Sequence, residues 1–188
     1  MACRRWVVAA LIGCALWQLG QGAYIHAKAR LAQYLVATAW EKTLAGAREV
    51  KPWAWADTWP VARLAAPRLG VELYVLAGAS GRTLAFGPGH LPGTAAPGEA
   101  GNTVISAHRD THFAFLRELA PGDELVVETP SAARRRYVVV STEVVHESAL
   151  RVILSDDLRR LTLVTCYPFD AIDPRGPLRY VVHAVLRT

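Results

Sequence analysis

From Pro60 onward the chain consists of short β-type runs separated by glycine- and proline-rich breaks, and no long amphipathic helix alternates with them. That property argues against a doubly wound α/β sheet. It points to a mainly β, closed or nearly closed barrel, because strands without crossover helices must bury one another. The runs are VARL (61–64), VELYVL (71–76), NTVISA (102–107), DELVVET (123–129), RYVVVSTEVV (136–145), RLTLVTC (160–166) and LRYVVHAVL (178–186). FAFLREL (113–119) has the composition of one short helix, and SALRVILSDDLR (148–159) that of an irregular or helical crossover. The interval FGPGHLPGTAAPGEAGN (86–102) resists regular structure and is expected to run along the surface.

The preceding residues follow a different pattern. After Arg4 and Arg5 no charged side chain occurs from Trp6 to Ile25, close to the roughly 20 apolar residues a membrane-spanning helix needs. Trp6, Trp17 and Tyr24 suit interfacial positions, while Gln18 and Gln21 weaken the far end. The arginine pair favours a cytoplasmic N-terminus, a bias that His26, Lys28 and Arg30 make modest. An uncleaved signal anchor is the leading reading. A cleaved signal peptide lacks a convincing small-residue site, and Leu11-Ile12-Gly13-Cys14 resembles a lipobox that would lipidate Cys14. All three fates carry the rest of the chain to the extracytoplasmic side of the inner (plasma) membrane.

Residues 26–48 are rich in helix formers, with Leu31, Tyr34, Leu35 and Thr38 near one face, and Lys51-Pro52 is expected to stop the helix. Trp53, Trp55 and Trp59 are expected to pack on the domain or lie near the membrane surface. The expected organisation is an anchor at 1–25, a helical juxtamembrane linker at 26–58 and a catalytic barrel at 59–188.

A chain of 188 residues with 52% hydrophobic content can build one core plus an appendage. Its net charge of +5 comes from arginines scattered among the strands rather than gathered in a nucleic-acid motif, so no nucleic-acid partner is expected. Cys3 and Cys14 lie in or beside the apolar segment, which leaves Cys166 without a disulfide partner in the domain. Cys166 ends the run RLTLVTC, and Tyr167-Pro168 closes it. A buried small hydrophobe, a metal ligand and a nucleophile remain open.

Two other residues bear on that choice. His108 directly follows NTVISA, where an imidazole can turn into a cleft and move protons near neutral pH. Arg179 begins the run after the cysteine, and antiparallel pairing of the two runs would bring thiol and guanidinium within one substrate's reach. Thiolate, imidazole and guanidinium together suit acyl transfer. His108 and His112 are also spaced like helical zinc ligands, with His146 or Cys166 to complete a set, but the glutamate of a zincin motif is missing. Asp110, Asp170 and Asp173 lie beside turns and are assigned no catalytic role.

LTLVTC resembles the T-L-x-T-C signature of sortases, with Thr162, Leu163, Thr165 and Cys166 in place; ISAHRDTHF resembles the family's histidine segment, and PLRYVV supplies its arginine. GPGHLPGTAAPGEAGN, HRDTHFAFL and TCYPFD together look like the group found in Gram-negative bacteria. The resemblance covers 61–187 and implies a closed eight-stranded sortase-like barrel with short helices. It implies a transpeptidase that cleaves an LPxTG-like C-terminal sorting signal after its threonine through a thioester and passes the acyl group to an amine. Cys166 would be the nucleophile and His108 the general acid. Arg179 would hold the substrate backbone or oxyanion, with Thr165 and His112 supporting the substrate. No cofactor and no metal are implied. The expected partners are a surface protein bearing the signal, an amine acceptor and the membrane; nothing calls for an oligomer, so a monomer is expected.

A cysteine hydrolase using water and a non-catalytic, membrane-tethered binding module are the alternatives. Ala107 stands where many family members carry glycine. Leu91-Pro92-Gly93-Thr94-Ala95 itself reads like a sorting signal, although it lies inside a loop rather than before a C-terminal apolar tail.

Overall fold

The computed structural model describes residues 2–149, 159–171, 173 and 176–187. One long helix, α1 (Ala2–Leu44), precedes the strands β1 (Pro60–Ala66), β2 (Val71–Ala77), β3 (Gly89–His90), β4 (Asn102–Ser106), β5 (Glu124–Glu128), β6 (Arg134–His146), β7 (Arg160–Tyr167) and β8 (Leu178–Leu186). A short helix, α2 (Gly81–Leu84), lies between β2 and β3.

The two halves of α1 meet different surroundings. Its first half projects Leu11, Ile12, Leu16, Trp17 and Leu19 away from the rest of the chain, and Trp6 is 76% exposed. An apolar surface of that extent is unfavourable in water. The helix is long and apolar enough to cross a membrane. The second half lies on the barrel through Ala32, Val36, Ala39, Trp40 and Thr43, all buried. This differs from the expected stripe: Leu31 and Tyr34 are exposed, because the small residues Ala32 and Ala39 let the backbone approach β1 and β2 while Trp40 fills the gap. The helix also ends before the expected proline. Gly46 takes a left-handed φ of 99° and its N–H bonds the Thr43 carbonyl, which an L side chain would resist.

The strands close into a barrel in the order β1-β2-β3-β4-β7-β8-β6-β5. Most neighbours are antiparallel, but β2–β3 and β4–β7 are parallel. Alternate residues point inward, among them Leu64, Val75, Ile105, Leu125, Val127, Val139, Leu161, Leu163 and Val182, and Phe113 and Leu116 pack into the same core. The opposite residues of three adjacent strands build a second, smaller cluster: Val104, Val164 and Val181, covered in part by Leu91 and Val145. For this reason β7 is buried on both faces for most of its length.

The seven runs expected from sequence correspond to β1, β2 and β4 to β8. The missing strand is β3, two residues within the interval expected to run on the surface. That expectation needs correction, since Gly87, Pro88 and Gly89 are buried. Gly89 explains the fit: a Cβ there would run into the Gly78 carbonyl oxygen, so only glycine lets this segment join the sheet beside β2. FAFLREL forms a 3₁₀ turn, Ala114–Glu118. Glu147–Ala149 forms another, and the rest of the 148–159 crossover lies outside the described residues except Arg159.

Candidate active site

Cys166 stands opposite Arg179 in the β7–β8 ladder, as Val164 stands opposite Val181 one pleat earlier. Paired residues share a sheet face, so the thiol and guanidinium lie on the outer face that also carries the valine cluster. The thiol is partly exposed and free. The sequence-based expectation of an antiparallel pairing that juxtaposes these residues agrees with the register.

His108 comes from the neighbouring parallel strand. The β4–β7 ladder ends with Ser106 opposite Val164. One residue further the Ala107 N–H donates to the Val164 carbonyl at 3.3 Å, and the Thr165 hydroxyl donates to the Ala107 carbonyl at 2.7 Å. Thr165 thus ties the residue before the histidine to the residue before the cysteine. Ala107 is buried in the core, where its methyl group is accommodated. His108 then leaves the sheet with its side chain exposed.

His112 is half-buried beside it. Burial first, and the neighbouring His108 charge second, lower its basicity below the ordinary 6.5. Its Nδ1 is buried and has no hydrogen-bond partner among the described residues. The His108 carbonyl accepts from the Phe113 N–H at 3.0 Å, which folds the intervening residues into a compact turn.

Arg179 is not free to swing. Its Nη2 lies 2.7 Å from Glu147 Oε2, and its Nη1 donates to the carbonyls of Gly176 at 2.6 Å and Leu178 at 2.9 Å. Sequence reasoning did not find Glu147, which is 32 positions away and carries no local signal.

Arg109 was also missed. It is only 7% exposed, and its Nη2 donates to the carbonyls of Ala171 at 2.8 Å and Asp173 at 3.0 Å. This guanidinium fastens the segment after the cysteine to the segment after the histidine. Arg117 adds a second tie, sitting 5.0 Å over the Phe169 ring and 3.4 Å from Asp170.

His146 lies at the end of β6, its Nδ1 2.8 Å from the Ser148 hydroxyl. Among the described residues no group of three or more His, Cys, Asp or Glu side chains is placed to hold a metal ion. The Leu91–Ala95 stretch is a hydrogen-bonded turn against β4: the Leu91 N–H donates to the Val104 carbonyl, and the Thr94 hydroxyl donates to the Leu91 carbonyl while accepting from the Val104 N–H. Leu91 packs on the valine cluster.

Cys166 and Arg179 therefore share one sheet face, and His108 begins the turn that follows the strand paired with β7; thiol, guanidinium and imidazole are groups able to attack a carbonyl, steady the resulting oxyanion and move the proton. The Sortase domain family model matches residues 64–187. The sequence is 34% identical over 118 residues to Sortase D of Bacillus subtilis (strain 168), an alignment covering 62% of this chain and 59% of that protein, so the chain spans about three-fifths of this relative's length. Among solved structures, Sortase A from Corynebacterium diphtheriae superposes with a TM-score of 0.62 at 24% identity, covering 71% of this chain and 63% of that one, a likeness of fold. A Clostridium perfringens Sortase D5 transpeptidase superposes with a TM-score of 0.61 at 29% identity, covering 69% and 80%.

Proposed function

Because the chain belongs to the sortase family, we propose that it is a membrane-anchored cysteine transpeptidase that cleaves an LPxTG-like sorting signal after its threonine and transfers the acyl group to an amine. The observation that carries this reading is the register pair Cys166–Arg179; the Thr165–Ala107 hydrogen bond supports it by tying the residue before His108 to the cysteine strand.

The donor peptide lies along the outer face of β7 and β8, its scissile carbonyl over Cys166. Cys166 Sγ attacks the threonine carbonyl, and the Arg179 guanidinium steadies the negative oxygen. His108 protonates the departing amine, and a thioester remains on Cys166. An incoming amine then reverses the sequence: the C–N bond forms, the C–S bond breaks, and the surplus proton returns through His108 to the leaving thiolate. Thr165 holds the histidine strand against the cysteine strand, and His112, uncharged at neutral pH, adds no second cation beside His108. The exposed apolar half of α1 serves as a single-pass anchor, with the barrel on the extracytoplasmic side of the plasma membrane.

The test uses the detergent-solubilised full chain and a fluorogenic LPxTG-like peptide, with and without an amine. Cleavage should fall by at least about 10³-fold in Cys166→Ala, and His108→Ala and Arg179→Ala should each lose about 10²-fold or more. Products that contain water rather than the supplied amine, at every amine concentration, would assign the chain to hydrolysis instead.

A further inference from the structure

We propose that the end of the barrel remote from Cys166 holds a site for a phosphate-bearing group, in the cavity where the start of β6 meets the end of β8. The proposal stands independently of the transpeptidase reading. The cavity, of about 400 Å³, is lined by Arg134, Arg135, Arg136, Arg187 and Leu186.

Folding assembles these arginines from separate parts of the sequence. β6 begins with Arg134, Arg135 and Arg136, and the Arg187 N–H donates to the Arg136 carbonyl at 2.8 Å, which fixes the residue after β8 beside them. The Leu186 N–H donates to the Arg159 carbonyl at 3.2 Å and so brings the residue before β7 to the same edge. Arg135 and Arg159 both act on the buried Tyr137 hydroxyl, so their charges lie close together. Arginines that read as scattered in the sequence therefore gather at one end of three adjacent strands. Cys166 lies near the other end of β7, about 23 Å from Arg159 along an extended strand.

Carboxylates answer only part of this charge. Glu124 lies 3.6 Å from Arg136 and 3.5 Å from Arg187. Glu128 lies 3.2 Å from Arg134 and is shared with Arg63 at 2.9 Å. Arg135 has no ion pair or hydrogen bond among the described residues. The four guanidinium groups of the cavity thus share two carboxylates, one of which also serves Arg63. Like charges held this close repel one another, and a bound anion relieves that repulsion. A carboxylate brings one charge and two oxygens, and Glu124 already fills that role between two of the forks. A phosphate brings up to two charges and three acceptor oxygens, so several planar forks can bind one group. Leu186 leaves an apolar wall for the part of the ligand that carries the phosphate.

The experiment titrates tripolyphosphate into the detergent-solubilised full chain by calorimetry at low ionic strength. Saturable binding with a Kd below about 1 mM is expected, weakened about tenfold in Arg135→Gln and in Arg187→Gln, each of which removes one charge-assisted fork. Arg82→Gln, on the exposed face of α2 and outside the cavity, should leave Kd within about twofold. Circular dichroism checks that the variants fold, and a second measurement uses the wild type alone. Phenylglyoxal labelling of the full chain in nanodiscs, read by mass spectrometry, reports whether Arg135 and Arg187 are covered. Protection in discs containing phosphatidylglycerol, beyond that in phosphatidylcholine alone, assigns the phosphate to lipid headgroups. Protection only by added tripolyphosphate assigns it to a soluble molecule. Absence of saturable binding, an equal loss in Arg82→Gln, or no protection under any of these conditions overturns the proposal.

Discussion

The β7–β8 ladder and the segment from Ala107 to Glu118 both serve the candidate site, yet they hold their residues by different means. Cys166 and Arg179 are placed by backbone pairing, in register from Arg160–Val185 to Tyr167–Leu178. His108 and His112 lie beyond the end of β4, in a turn followed by a 3₁₀ segment. Backbone bonds close that turn on itself, and side chains fasten it to the neighbouring segments: Thr165 on Ala107, Arg109 on the Ala171 and Asp173 carbonyls, and Arg117 on Phe169 and Asp170. A ladder tolerates the loss of any one side chain, whereas a turn tied by a few side-chain contacts does not. The histidine should therefore be the more easily displaced partner.

Arg109→Met is the strongest way to break this contrast. It preserves the buried stem but leaves two carbonyls without their donor, at a cost of about 1.5–3 kcal/mol for each charge-assisted bond. Cleavage should fall about 30-fold, chiefly in kcat, with alkylation of Cys166 by iodoacetamide changed less than about threefold. Equal losses in both assays would show that the ladder side moves as well. Arg109→Lys should recover little, because one ammonium replaces a planar fork.

Glu147→Gln probes the ladder side and should act more weakly. The amide keeps a hydrogen bond to Arg179 but removes the charge, and the two carbonyl bonds of Nη1 remain. A loss of about three- to tenfold in kcat/KM for the sorting peptide is expected, without a change in melting temperature beyond a few degrees. An increase in activity would instead mean that Glu147 competes with substrate for the guanidinium.

The smallest expected effect is on stability against pH. His112 is less basic in the folded chain than its ordinary 6.5, from burial first and His108 second. Below that value the unfolded chain binds more protons than the native state, so its stability contribution is full above about pH 6.5 and is lost as pH falls through it. His112→Gln should melt with a shallower decline between about pH 7 and pH 5 than the wild type. Superimposable melting profiles would remove His112 as the cause.

These differences also explain what the sequence revealed. The β-branched and aliphatic runs in RLTLVTC and LRYVVHAVL mark two strands, and their closeness in the chain makes antiparallel pairing the natural expectation; the Cys166–Arg179 pair follows from it. No periodic signal exists for β3, because two residues are too few to show one, and its glycine and prolines read as loop. The packing of Leu91 was hidden by the same composition, although it covers part of the outer valine cluster. Arg109 reads as a surface charge after a strand, and only the three-dimensional return of the chain past Ala171 shows what it binds. Glu147 has the same invisibility, its partner lying beyond an entire crossover. Backbone-determined parts of the site were legible; parts made by long-range side-chain bonds were not.

The most direct measurement of the central claim is the intact mass of the full chain after mixing with an LPxTG-like peptide. The account predicts an added mass equal to the peptide up to and including its threonine, carried on Cys166, discharged by an added amine and absent from Cys166→Ala. Peptide turnover that persists in Cys166→Ala, or an adduct on any other residue, would contradict it.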